Sequence, residues 1–286
     1  MRIIDNFGLS VRRTCSLVGI WRTSFSYKPK DNKPDEAIIR AKLKELADKR
    51  KRFGCPRLQV LLRREGFAIN HKRTERIYKE EGLSIRIRRR RKMASTLRTE
   101  VPRPTHANHI WSMDFMKDAL SSGRRLKVLP IIDEYTKKCF KIEVDTSING
   151  VRVVRTLNDI ALKEEGLPEI IIVDNGPEFI GRAVDEWAYK RGVKLFFITP
   201  GKPVENMYME SFNGKLRDEC LNLHYFVGLD HAKQIIEDWR VDYNTERPHS
   251  SLDNLTPEEF IQKENEKMAA ATNITTTSNT TLNSNT

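Results

Sequence analysis

The sequence predicts a mixed α/β domain preceded by a basic, all-α region. Three strand-like runs, HIWSMDFM, RLKVLPIID and KCFKIEV, follow one another with short connections, as in an antiparallel meander. Helical and strand-like segments then alternate, which is the pattern of an α/β layer fold. Charge divides the chain: residues 1–103 hold 29 Lys+Arg against 11 Asp+Glu, and the remainder 22 against 28, in 286 residues of net charge +12. A basic third joined to a mildly acidic remainder favours a polyanionic partner. Nucleic acid is favoured over membrane, because no amphipathic or long apolar segment accompanies the charge.

Residues 8–27 read as a short helix, a Gly19 turn and a second short helix, followed by a linker, KPKDNKPD, and a helix from Glu36 to about Lys51. Within Pro56–Gly82, Pro56 suits a first helical turn, Gly66 a C-cap, Asn70 an N-cap and Gly82 the close of a second helix. Two helices around so short a turn make a helix-turn-helix. Its second helix carries Lys72, Arg73 and Arg76 toward the end where a recognition helix meets DNA. Directly downstream, IRIRRRRK sets Arg86, Arg88, Arg89, Arg90, Arg91 and Lys92 among eight residues. The first group is expected to read bases and the second to grip the DNA backbone.

These signals divide the chain into a partial helix-turn-helix with linker helix (1–50), a helix-turn-helix with basic run (51–95), a linker (96–106) and an α/β core (107–222). A helical extension (223–266) and a Thr/Asn/Ser tail (267–286), expected to be disordered, complete it. In the core, NGVRVVRTLNDIALKEEG and EFIGRAVDEWAYKRG read as helices, PEIIIVD and VKLFFIT as strands, and PVENMYMESFNGKLRDECLN as a long helix opened by Pro203. No run reaches transmembrane length and MRIIDNFGLS lacks a secretory core. The four cysteines are scattered without a CxxC pair, so reduced thiols of a cytoplasmic protein are expected rather than a zinc site.

The stretch IIIVDNGPEF sets Asp174 at the end of a β-branched run and follows it with a turn. Turns favour Asp, so one aspartate decides nothing. Asp114, however, sits inside the apolar strand HIWSMDFM, where an ionised carboxylate needs a partner or a metal. If the two strands are neighbours, the aspartates face each other and need a cation between them. A third carboxylate is expected from the long helix. Glu205 lies in its first turn, where the helix dipole alone explains an acid. Glu210 shares a face with Asn213 and Arg217, an awkward polar stripe for a core helix, and is preferred.

With 35 residues between Asp174 and Glu210, this order resembles the DDE catalytic core shared by retroviral integrases and many transposases. GKPVENMYMESFNGKLRDECLN, DYNTERPHSSLDNLTPEEF and IIDEYTKKCFKIEVD resemble, more narrowly, the second-frame (OrfB-type) transposase of the bacterial IS-three insertion-sequence family, over roughly Cys15 to Phe260. The resemblance implies a ribonuclease H-like core and assigns Asp133 and Glu134 to a hairpin end rather than to the site. It implies that Asp114, Asp174 and Glu210 are catalytic and hold Mg²⁺, two ions about 3.5–4 Å apart, with Mn²⁺ as a substitute. Arg217, Lys215 and Asn213 are expected to contact DNA. The partner implied is double-stranded DNA, at element ends and target, with a homo-oligomer on the DNA in the bacterial cytoplasm and nucleoid. A fusion with an upstream reading frame is a further expectation. A catalytically idle DNA-binding remnant is opposed by three retained, mutually repelling carboxylates. A nuclease without strand transfer is opposed by the family segments.

Overall fold

A computed structural model of the chain describes residues 7–27, 35–85, 103–164, 166–199 and 203–282. Helices α1 (Val11–Val18) and α2 (Arg22–Phe25) are followed by α3 (Glu36–Lys49), α4 (Cys55–Arg64) and α5 (His71–Glu80). The last three close around Leu43, Leu58, Leu62 and Ile77, all fully buried. Their ends follow the sequence punctuation. Pro56 lies in the first turn of α4, the Asn70 side chain accepts the Lys72 N–H, and Gly66 and Gly82 take the positive φ that ends a helix cheaply.

The expected first strand, HIWSMDFM, is two strands, β1 (Ile110–Met113) and β2 (Met116–Ala119), interrupted at Asp114–Phe115. Both pair antiparallel with β3 (Arg125–Asp133), through Met113↔Ile131 on one side of the gap and Met116↔Val128 on the other. This register is continuous and puts Asp114 opposite Pro130. Proline has no N–H to donate, so the Asp114 carbonyl loses its ladder donor there, and the strand breaks at the residue carrying the carboxylate. β4 (Cys139–Asp145) covers the other edge of β3. β5 (Ile170–Val173) runs parallel to β1, and β6 (Lys194–Phe197) parallel to β5. The sheet therefore runs β4, β3, the β1–β2 line, β5, β6.

Helix α6 (Gly150–Lys163) is capped by Asn149. The single helix expected over EFIGRAVDEWAYKRG is two, α7 (Pro177–Ile180) and α8 (Arg182–Arg191), because Gly181 is extended at φ −70°, ψ 145°. Glycine is a poor helix interior, and the bend lets Phe179, Val184 and Trp187 all turn inward. The long helix also differs at its start: Pro203–Asn206 is a 3₁₀ turn, and α9 runs from Met207 to Glu219. Its apolar stripe, Met209, Phe212 and Leu216, packs on α10 (Leu229–Thr245), where the Phe212 ring meets Trp239 and Tyr243 at 5.7 and 5.0 Å. α11 (Pro257–Leu282) corrects the expectation of disorder from residue 267. Met268 and the three alanines that follow are strong helix formers, and propagation from an established helix costs far less than nucleation.

The two parts of the chain are joined by ion pairs. Arg50 binds Asp242, Arg52 binds Asp218 at 3.0 Å, Arg57 binds Glu219 at 3.1 Å and Arg64 binds Glu259 at 2.7 Å. Part of the basic excess of the N-terminal third thus meets the acidic excess of the remainder inside the chain. The charge asymmetry therefore overstates what is free for a polyanion.

Candidate active site

The parallel register pairs Ile110 with Ile170 and Ser112 with Ile172. Continued past the ends of both strands, it sets Asp114 beside Asp174. The carboxyl of Asp114 is pushed up to about 6, first by burial, then by the charge of Asp174, with Glu210 adding to it. Two hydrophobic strands thus deliver the aspartates, and the repulsion between them is the electrostatic mark of the site. Asn213, one turn after Glu210 on α9, donates from Nδ2 to Asp114 Oδ2 at 2.8 Å.

The Asn-Gly-Pro turn has a specific use. Asp174 Oδ1 accepts the Gly176 N–H at 2.9 Å, while Asn175 Nδ2 donates to the Ile198 carbonyl at 2.7 Å, tying the turn to the end of β6. A Cβ at Gly176 would lie 2.8 Å from Asp174 Oδ1, so only glycine lets the carboxylate fold over its own turn. Glu205 is a different kind of acid. It is buried in the 3₁₀ turn and accepts the Thr199 N–H at 2.7 Å, joining the loop after β6 to the start of α9. Glu210 is exposed.

The donors are all carboxylate oxygens, the set that suits a hard divalent cation. The like-charge strain on Asp114 is what such a cation would relieve. Among the described residues, no three His, Cys, Asp or Glu side chains are drawn together closely enough to hold a metal as they stand.

The other expected site residues have diverse surroundings. Arg217 donates to the Lys117 carbonyl at 3.0 Å and lies 3.7 Å from Asp118, on the β2 side of Glu210. Asn213, expected on DNA, is turned to Asp114 instead. Lys215 is half-buried on another face of α9. In α5, Arg73 pairs with Asp35 and Glu36, and Arg76 with Glu36 and Glu80. Both are engaged within their own domain, a constraint on base reading that their spacing did not reveal. Lys72 is exposed and makes no ion pair with a described residue. Arg86, Arg88, Arg89, Arg90, Arg91 and Lys92 lie outside the described residues.

Asp133 does end a hairpin, accepting the N–H groups of Asn108, Tyr135 and Thr136 at 2.7, 2.6 and 3.1 Å. Glu134 does more than its neighbour and was not expected to. It is buried, accepts the Ser112 hydroxyl at Oε1, and has no hydrogen-bond partner at Oε2 among the described residues. Burial pushes its carboxyl up to about 7 and brings the nearby Lys137 ammonium down to about 8. Because the folded value of Glu134 lies above its ordinary 4.5, its contribution to stability is complete below pH 4.5 and is lost as pH rises through 7. Glu134→Gln should therefore be more stable than wild type at pH 8, by about 1–3 kcal/mol, and gain nothing at pH 4. Urea titrations at the two pH values check this. A variant weaker at pH 8 would mean that attraction to Lys137 outweighs burial.

Comparison with known proteins agrees with this architecture. Residues 104–203 and 191–257 match integrase core domain families, and residues 33–92 match an HTH-like domain family. A 31.7 kDa protein of insertion element IS407 from Burkholderia multivorans is 48% identical over 261 residues, covering 91% of this chain and 94% of that protein. A 39.2 kDa protein of insertion element IS476 from Xanthomonas euvesicatoria is 42% identical over 259 residues, covering 91% and 74%. In fold, a chain of the simian T-cell lymphotropic virus intasome, solved with PP2A regulatory subunit B56 gamma, superposes with a TM-score of 0.51 at 15% identity, over 76% of this chain and 73% of that one. Fold and matches define a polynucleotidyl-transferase core of the integrase type, ribonuclease H-like in its sheet, behind an HTH-like domain. The chain belongs to the IS-three insertion-sequence family of DDE transposases.

Proposed function

We propose that this chain binds the double-stranded ends of its insertion element and catalyses metal-dependent DNA cleavage and strand transfer, as a homo-oligomer acting on nucleoid DNA in the bacterial cytoplasm. The observation that carries the reading is the pair of neighbouring strand ends bearing Asp114 and Asp174, with α9 placing Glu210 close enough to raise the Asp114 carboxyl. Asp114, Asp174 and Glu210 would hold Mg²⁺ or Mn²⁺, two ions by the family resemblance. Bound there, the metal would supply Lewis-acid activation of the attacking oxygen and stabilisation of the leaving 3′ oxygen. The chain's own residues do the positioning. Asn213 fixes one oxygen of Asp114, Gly176 and Asn175 fix the Asp174 turn, and Arg217 offers a guanidinium fork beside them. Among the described residues, no helix is long and apolar enough to cross a membrane.

The direct test incubates the protein with Mg²⁺ and a labelled element end. Joined product is expected. Cleavage without joining would leave a nuclease, and no product an idle DNA-binding protein.

Arg217 is the residue we assign to the phosphate entering the site. Among the described residues its fork meets one carbonyl at 3.0 Å and one carboxylate at 3.7 Å, which a phosphate would displace. Arg217→Ala should lower strand transfer by about 10–100-fold, the worth of one charged hydrogen-bonding group. Arg217→Lys should keep part of the rate, with charge but no fork. Wild-type joining by Arg217→Ala across a salt series would remove the assignment.

A further inference from the structure

Beside the carboxylates, on the next face of α9, a groove of about 1000 Å³ opens between the HTH-like domain and the core. Arg52, Arg57, Lys215, Ser211 and Ser250 line it. Lys215 follows Glu210 by five residues, about 140° around the helix, so it belongs to this groove and not to the Asp114 side. The charge here does not balance. Arg57 and the buried Arg247 both bind Glu219, at 3.1 Å and at 2.7–2.8 Å, which uses that carboxylate up. Asp218 is taken by Arg52. Lys215, half-buried beside them, makes no hydrogen bond or ion pair with a described residue. A cation drawn partly out of water without a direct partner is costly, and the two nearby acids, Asp218 and Glu219, are paired with arginines.

We propose that this groove is a second anion site, in which Lys215, with Arg57, Ser211 and Ser250 beside it, holds a backbone phosphate of the DNA strand that passes Glu210. The inference rests on the DNA-end reading above. Lysine's compact charge with three donors, next to guanidinium forks and two serine hydroxyls, is chemistry suited to a phosphate. Ile85 lines the groove as well. Burial and the charge of Arg247 lower the Lys215 ammonium to about 8, with Arg57 and Lys137 adding and Glu219 opposing, as expected of a group waiting for an anion.

The test uses the full chain and a fluorescent duplex of an element end. Lys215→Met should weaken binding about tenfold and make the slope of log K against log[salt] shallower by about 1. It should also raise the melting temperature without DNA, because an unpaired buried charge is gone. In the wild type, saturating duplex should protect Lys215 from acetylation, read by mass spectrometry. A wild-type chain that binds no duplex would remove the reading beneath the proposal. Wild-type binding with an unchanged affinity and slope in Lys215→Met, or equal acetylation with and without duplex, overturns this site alone. So does inorganic pyrophosphate protecting Lys215 when the duplex does not, since the site would then take a small free anion.

Discussion

Asp114→Asn, Asp174→Asn and Glu210→Gln are each expected to abolish cleavage and joining, by at least about a thousandfold, or ~4 kcal/mol in the barrier. Each exchange keeps the size of the side chain and removes the charge that would bind a hard cation. The fold has no reason to suffer. Asn at 114 still presents an oxygen to Asn213 Nδ2, and Asn at 174 still presents one to the Gly176 N–H. In metal-free buffer at neutral pH, Asp114→Asn should be at least as stable as wild type, because burial and the charge of Asp174 already strain that carboxylate. Duplex binding should hold or tighten as negative charge facing phosphate is removed. Glu205→Gln is the control. Its oxygen can still accept the Thr199 N–H, so activity should remain near wild type. Activity in Glu210→Gln together with its loss in Glu205→Gln would move the third carboxylate to the 3₁₀ turn.

The sequence singles out the candidate carboxylates and hides most of what positions them. Asp174 was legible because it ends an unbroken β-branched run, and Asp114 because it is a charge in an apolar strand. Both signals are local. The break at Asp114–Phe115 was not legible, since it depends on Pro130 standing opposite across the ladder, a relation of register that no single segment contains. The same is true of Arg73 and Arg76. Their spacing suits a recognition helix, yet the partners that engage them, Asp35 and Glu36, precede α5 by more than thirty residues. Glu134 was assigned to a hairpin end with Asp133, and only the packing around Ser112 and Lys137 separates their roles. Net charge misled most. The basic third reads as favouring a polyanionic partner, but arginines 50, 52, 57 and 64 are turned onto acids of the core and its helical extension.

Arg247→Ala is expected to be the most destabilising single exchange, by about 3–5 kcal/mol, with loss of joining even where the chain stays folded. Arg247 is 2% exposed and grips Glu219 with two nitrogens, at 2.8 and 2.7 Å. Its guanidinium also lies 5.6 Å from the Tyr243 ring and 5.9 Å from that of Phe53, so it touches α10 and the HTH-like domain together. Removing it leaves Glu219 half-paired, with Arg57 its one remaining partner among the described residues and a cavity beside it. A buried carboxylate stripped of its main counter-charge carries a larger penalty than the intact pair was worth. Glu219 is the last residue of α9, the helix that also carries Glu210, Asn213 and Arg217. Loosening that end lets the helix shift along its axis, and shifts well under an ångström matter to a site that must fix carboxylates. Arg247→Lys should recover part of the stability, since charge returns without the fork. The double variant Arg247→Met/Glu219→Leu should be more stable than Arg247→Ala, because neither charge is then left unpaired. Urea unfolding of the four proteins, with joining assays well below each midpoint, reads both effects. An Arg247→Ala protein within about 0.5 kcal/mol of wild type would mean that Arg57 alone holds Glu219, and the anchor would belong to the HTH-like domain.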